Sequence, residues 1–275
     1  MEGRPGINPL RYETKYIVSN ERLEQLRKIA EVTNINAENN LAIKEGFLVA
    51  DSDSFKFGNY LFEVGIKEGM RTAPHPLDVQ RIRKSIHEAK RQADYVIVSI
   101  HSHEMEGEDK SKPAQFLKEF SRICIDEGAH AVIGHGPHIL RGIEIYKNRP
   151  IFYSLGNFIF QNETVEKLPH DFYVKYGMDF QHTVADVLDK RSENGKKGLG
   201  ANPEVWESVI AYWKMKDGQL EKIVLYPIEL GFGLPRYKRG WPKLSANMSI
   251  LRRLNELSKP FGTEIKLMDN VGIIE

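Results

Sequence analysis

The chain has 275 residues, and 39 basic against 38 acidic side chains leave a net charge of +1, which excludes a global field that would gather nucleic acid or anionic lipid. With 41% apolar and 28% charged residues the composition is that of a folded globular protein, long enough to bury a core unaided. One cysteine, Cys124, excludes a disulfide framework; no stretch reaches the length of a membrane span, and the first residues lack the apolar run of a secretory signal.

Residues 4–10, Arg-Pro-Gly-Ile-Asn-Pro-Leu, are excluded from helix and central strand by Pro5 and Pro9, and the chain reads as one entered midway. Leu23, Leu26, Ile29 and Ala30 predict a short amphipathic helix from Glu21. Short strands are expected at Phe47–Val49 and Tyr60–Ile66, with turns across Asp51-Ser52-Asp53-Ser54 and a long helix over 77–92. Tyr95–Ile100 is almost continuously apolar, as in a strand buried on both faces. A polar loop, a helix over 114–127 closed by Gly128, and a second buried strand at Ala131–Ile133 complete a βαβ unit. Ile143–Tyr146 and Ile151–Leu155 flank a hairpin turn at 147–150. Residues 161–203 read as an irregular surface excursion. Beyond it, Asp217-Gly218 joins strands over 205–216 and 219–229, followed by a helix near 248–257 and a final strand near 263–268. The mixture predicts packed α and β layers rather than a βα barrel.

Six of the nine histidines lie between residues 101 and 170. Four follow the two apolar strands directly, as His101-Ser-His103-Glu104 and Gly134-His135-Gly136-Pro137-His138. Ligands of a parallel sheet bind off the carboxyl ends of its strands, so both groups are expected on the chemically active face. Neutral imidazoles suit zinc, iron, manganese or nickel, and an adjacent carboxylate can ligate or act as a base. Pro137 and the glycines at 134 and 136 would tighten the second loop and let its imidazoles converge. His75, His87, His130, His170 and His182 read as structural or solvated. The acidic run Glu106, Glu108, Asp109 reads as a solvated loop, with Glu104 set apart by its histidine neighbours. Met105 and Glu106 break the His-x-His-x-Asp-His pattern of metallo-β-lactamase-type sites, and too few βα units follow for an amidohydrolase barrel.

Several blocks carry a resemblance: Gly3–Pro9, Asp94–His101, Asp126–Ala129, Gly134–His138, Gly142-Ile143-Glu144 and Tyr153-Ser-Leu-Gly-Asn-Phe158. Together they resemble the bacterial capsule-synthesis (CapA-type, poly-γ-glutamate) family, over Arg4 to about Glu163 and most densely over 94–160. The resemblance implies an α/β (α+β) fold of the calcineurin-like metallophosphoesterase type, two facing β-sheets flanked by helices. It implies His101, His135 and His138 as ligands of a divalent transition metal (Mn, Fe or Zn), one ion or two. His103 or Glu104 would then move protons, and Arg141 would steady an anionic substrate. Two positions depart from the family pattern, Ser102-His103 and Gly136. Two family motifs are missing: no Gly-Asp pair occurs, and Asn39-Asn40 is followed by Leu41 rather than histidine.

The chain is therefore expected to be one CapA-like domain over 1–275 that lacks the amino-terminal half of the family fold. Residues 94–160 form its motif-bearing core, and a hairpin, helix and strand fill 204–275. The implied function is capsule biosynthesis, either as a metal-dependent hydrolase or transferase, as a non-catalytic assembly or polymer-binding component, or as a fragment of a longer enzyme. An anionic polymer or a phosphorylated small molecule, and other capsule-synthesis proteins, are the implied partners, at the bacterial cell envelope or in the cytoplasm.

Overall fold

A computed structural model describes residues 6–50, 53–161 and 164–275 of the chain. They divide into two compact units, Met1–Lys84 with Ala114–Phe120, and Ser85–Pro113 with Ser121–Glu275. Arg4 and the Asp51-Ser52 turn lie outside the described residues.

In the first unit the central strand is β1 (Tyr12–Val18). Helices α1 (Asn20–Thr33) and α2 (Ala37–Lys44) follow, then β2 (Phe55–Phe57), β3 (Tyr60–Val64) and β4 (Gly69–Pro74). The sheet order is β2-β3-β1-β4, with β1 parallel to β3 and antiparallel to β4. Ser19 caps α1 by accepting from the Arg22 N–H, and Asn34 ends it in the left-handed conformation. The strand expected at Phe47–Val49 is absent. The Phe47 and Leu48 N–H groups both turn back onto the Ala42 carbonyl and close α2 instead. Helix α3 (Pro76–Gln92) begins in this unit, and its buried Asp78 accepts from the Arg11 backbone N–H and from the Arg11 and Arg81 guanidinium groups. Tyr12 stacks on Phe116 with ring centroids 4.3 Å apart.

The second unit holds β5 (Ile97–His101), a small ribbon of β6 (Met105–Glu106) and β7 (Asp109–Pro113), and α4 (Gln115–Asp126), which starts in the first unit. Then come β8 (Ala131–His135), β9 (Leu140–Tyr146) and β10 (Arg149–Leu155). β5, β8 and β10 run parallel and β9 closes the sheet antiparallel, in the order β5-β8-β10-β9. The βαβ unit is as expected, but β5 is an edge strand with Ile97 54% exposed, so the both-face burial expected there belongs to β8. Two short helices, α5 (His170–Lys175) and α6 (Val184–Ser192), interrupt the excursion.

A second sheet contains β11 (Glu207–Lys216), β12 (Gln219–Glu229), β13 (Lys243–Leu244), β14 (Lys266–Met268) and β15 (Val271–Ile274), with α7 (Ser249–Ser258) between β13 and β14 in the chain. Asp217 and Gly218 both take positive φ, as the hairpin signal required. One core joins this sheet to the first. Leu140, Ile143 and Phe152 pack with Val209, Ile223, Leu225 and Ile274, and with Ile250, Leu251 and Leu254 of α7. The layered α/β architecture is thus that of packed sheets and helices. The 142–144 and 153–158 motif blocks also meet, because the Tyr153 hydroxyl donates to Glu144 at 2.6 Å while the Arg122 guanidinium holds the other carboxylate oxygen at 2.9 Å.

Candidate functional site

Parallel pairing of β5 with β8 puts His101 opposite His135 at the carboxyl end of both strands. Beyond that point the loops approach closely. The Ser102 N–H donates to the His135 carbonyl at 2.8 Å. A Cβ on Gly136 would lie 2.7 Å from the Ser102 oxygen, and its φ of 127° is one that other residues rarely adopt. His138 itself is held at φ 65°, a left-handed conformation uncommon outside glycine.

The four predicted histidines form a row. His135 Nδ1 lies 3.0 Å from His101 Nδ1, and His101 Nε2 lies 3.1 Å from His103 Nε2. The His103 and His138 rings follow at 5.4 Å between centroids. Ser99 Oγ closes one end, 2.9 Å from His135 Nε2. At the other end His138 Nδ1 is 2.9 Å from Asn157 Oδ1.

These contacts fix protons. The Asn157 Nδ2 group donates to the Val205 and His138 carbonyls, so its Oδ1 accepts. His138 therefore carries its proton on Nδ1 and leaves the Nε2 lone pair open. For His135, His101 and His103 two assignments keep every ring neutral and satisfy every contact, and they differ only in the direction in which all the bonds run. Reversing them carries one proton along three rings. For two of these rings the neutral form is favoured: desolvation, then the neighbouring histidines, lower the His103 pKa, and desolvation with His101 lowers that of His135.

Glu104 is tied back by the Ser102 hydroxyl at 2.7 Å. Arg141, expected to face an anionic substrate, is fully buried. Its guanidinium donates to the carbonyls of Lys110 at 2.8 Å and Glu104 at 2.9 Å, and burial brings its pKa down to about 10. These bonds tie it to the 103–110 loop that carries the His103 imidazole.

Three of the other histidines have ordinary partners. His130 Nδ1 accepts from the Val96 N–H, His87 meets Glu127, and His182 meets Asp179. Cys124 is buried, which pushes its thiol up to about 12 and makes it unreactive.

In kind the donor set fits a divalent transition metal: neutral imidazoles, one of them oriented by a neighbouring amide. The His101–His135 spacing also fits, since two nitrogens each about 2.0–2.1 Å from one ion lie roughly 3 Å apart. The set does not close by itself, for among the described residues no three His, Cys, Asp or Glu side chains are grouped to hold an ion. Ser99 and Asn157 were not singled out as site residues from sequence. Ser99 gives no signal in the sequence, and Asn157 stands there only as one residue of the 153–158 motif block.

The row lies inside a recognisable module: residues 21–162 match the bacterial capsule synthesis protein PGA_cap family, and the chain belongs to it. The chain is 38% identical to the uncharacterized protein y4sH of Sinorhizobium fredii over 98% of its own length and 59% of the relative's. It is 40% identical to the PGA biosynthesis protein CapA of Bacillus subtilis over 53% of this chain and 40% of that protein. It is 39% identical to the capsule biosynthesis protein CapA of Bacillus anthracis over 52% of this chain and 36% of that one. The chain thus spans about three-fifths of y4sH and less of the two CapA proteins.

Proposed function

We propose that this chain acts in capsule biosynthesis, on an anionic polymer of the poly-γ-glutamate kind or a phosphorylated precursor, and that the imidazole row is its chemical centre. The observation that carries this reading is the juxtaposition of two histidine pairs on adjacent parallel strand ends within the family-matching segment. His101, His135 and His138 would hold a divalent manganese, iron or zinc ion together with donors beyond this set. Such an ion supplies Lewis acidity toward a phosphoryl or acyl centre. The chain's own residues do the rest. His103, or Glu104 beside it, would move protons, Asn157 keeps His138 in the ligating tautomer, and Arg141 ties down the His103–Glu104 loop.

Elemental analysis of protein prepared without chelators tests this, beside His101→Ala and His135→Ala. The expected result is near-stoichiometric metal in the parent and loss in both variants with folding intact. Absence of metal after reconstitution with all three ions overturns the metal reading. A second reading, a non-catalytic polymer-binding component, is favoured by the absence of a closed ligand set among the described residues. It expects His135→Ala to leave polymer production unchanged, whereas the first expects production to stop.

A further inference from the structure

A cavity of about 640 Å³ opens in the second unit, lined by residues from Gln161 to Arg239 and so almost wholly beyond the family-matching segment. Its volume falls within the roughly 300–1,000 Å³ typical of small-molecule sites. Helix α6 supplies an apolar strip, with Val184, Ala185 and Leu188 on one face and Arg191 continuing it at helical spacing. Val165 and Leu199 extend that strip.

Besides Arg191 the lining cations are Lys197, Arg236 and Arg239, and no carboxylate is among the described lining residues. The helix's own acids, Asp186, Asp189 and Glu193, line a neighbouring hollow, from which Asp189 and Glu193 reach two of these cations. Each cation is held in position. Arg236 pairs with Asp189, and Lys197 reaches Glu193 at 2.5 Å. The Arg239 guanidinium lies over Trp206 at 4.8 Å and that of Arg191 near Phe172 at 5.8 Å. Tyr237 offers a largely exposed aromatic ring at the same cavity.

We propose that this cavity binds a small, multiply charged organic anion, its phosphate or carboxylate head on the cations and its apolar or aromatic body on the α6 strip. Guanidinium groups recognise both kinds of head in bidentate fashion, and anchored side chains lose less freedom on binding. An apolar strip of this extent gives a bare inorganic ion nothing, which is why an organic body belongs to the ligand. The inference does not rest on the histidine reading.

Isothermal titration of the full chain decides it, with ADP as the phosphate probe and N-benzoyl-triglutamate as the carboxylate probe. Adenosine and pyrophosphate serve as the separate halves. One or both of the first two should bind, more tightly than either half, and whichever binds identifies the head group. Ala185→Trp, which fills the cavity from an exposed position, and Arg191→Gln should each weaken binding by about tenfold or more with an unchanged circular dichroism spectrum. His135→Ala should leave it unaltered. No binding of either probe at millimolar concentration overturns the proposal, as does binding that Ala185→Trp leaves intact.

Discussion

His138 pays for its place with a left-handed backbone, and the Asn157 amide is what makes the resulting ring position chemically definite. Nitrogen-15 correlation spectra of the metal-free protein should show His138 as the Nδ1–H tautomer. In Asn157→Ala the same signal should move toward the Nε2–H form, and stability should fall by roughly 1–3 kcal/mol because the Val205 carbonyl loses its donor. An unchanged tautomer in the variant would remove Asn157 from the site. At this scale the four histidines could be read from sequence because their spacing repeats after two apolar strands. Ser99 and Asn157 could not, since a serine within a strand and an asparagine after a Leu-Gly pair have many uses. The burial of Arg141 was not legible either: nearness in sequence to a histidine loop does not say whether a side chain reaches solvent or a carbonyl.

Among the elements, β9 and α7 come close enough that the backbone carries the contact. A Cβ at Gly142 would lie 2.2 Å from the Leu257 carbonyl oxygen and 2.8 Å from the Phe261 ring. Gly142→Ala should therefore cost roughly 1–3 kcal/mol by overpacking, read as a lower urea midpoint with an unchanged slope. Wild-type stability in that variant would mean that α7 can move away freely. Gly134 has the same relation to the Tyr153 carbonyl, 2.4 Å from its would-be Cβ, so β8 and β10 are joined as tightly just before His135.

The element pattern explains which parts of the chain could be read in advance. The βαβ unit, both central hairpins and α7 were legible because an apolar period and a turn signal agreed. β1 was not, since Glu13 and Lys15 interrupt its apolar residues while its neighbours in the sheet lie far along the chain. β15 was missed although Asp269-Asn270, both at positive φ, form the kind of two-residue turn that had revealed the other hairpins.

Over the whole molecule, charge is balanced, and Asp78 is an ionisable group buried in the first unit against Arg11 and Arg81. The Arg11 side-chain bond leads the effects that hold its carboxyl well below the usual range. A depressed carboxylate contributes stability above the unfolded value, and that contribution drains away as pH falls below about 4. Urea midpoints of the first unit's unfolding should decline through this window, and in Asp78→Asn the decline should flatten while stability at neutral pH drops by roughly 2 kcal/mol, limited by the solvent reach of both arginines. A parallel pH profile in the variant would show that other groups govern acid unfolding. The imidazole row answers to a different authority. His101 and His135 are partners across a parallel ladder, and their ring centroids lie 5.0 Å apart, close to the roughly 4.8 Å between neighbouring strands. Main-chain hydrogen bonding acts as the ruler for this centre, so replacing the side chains around it should leave the gauge unchanged, and warming should preserve it until the sheet itself parts.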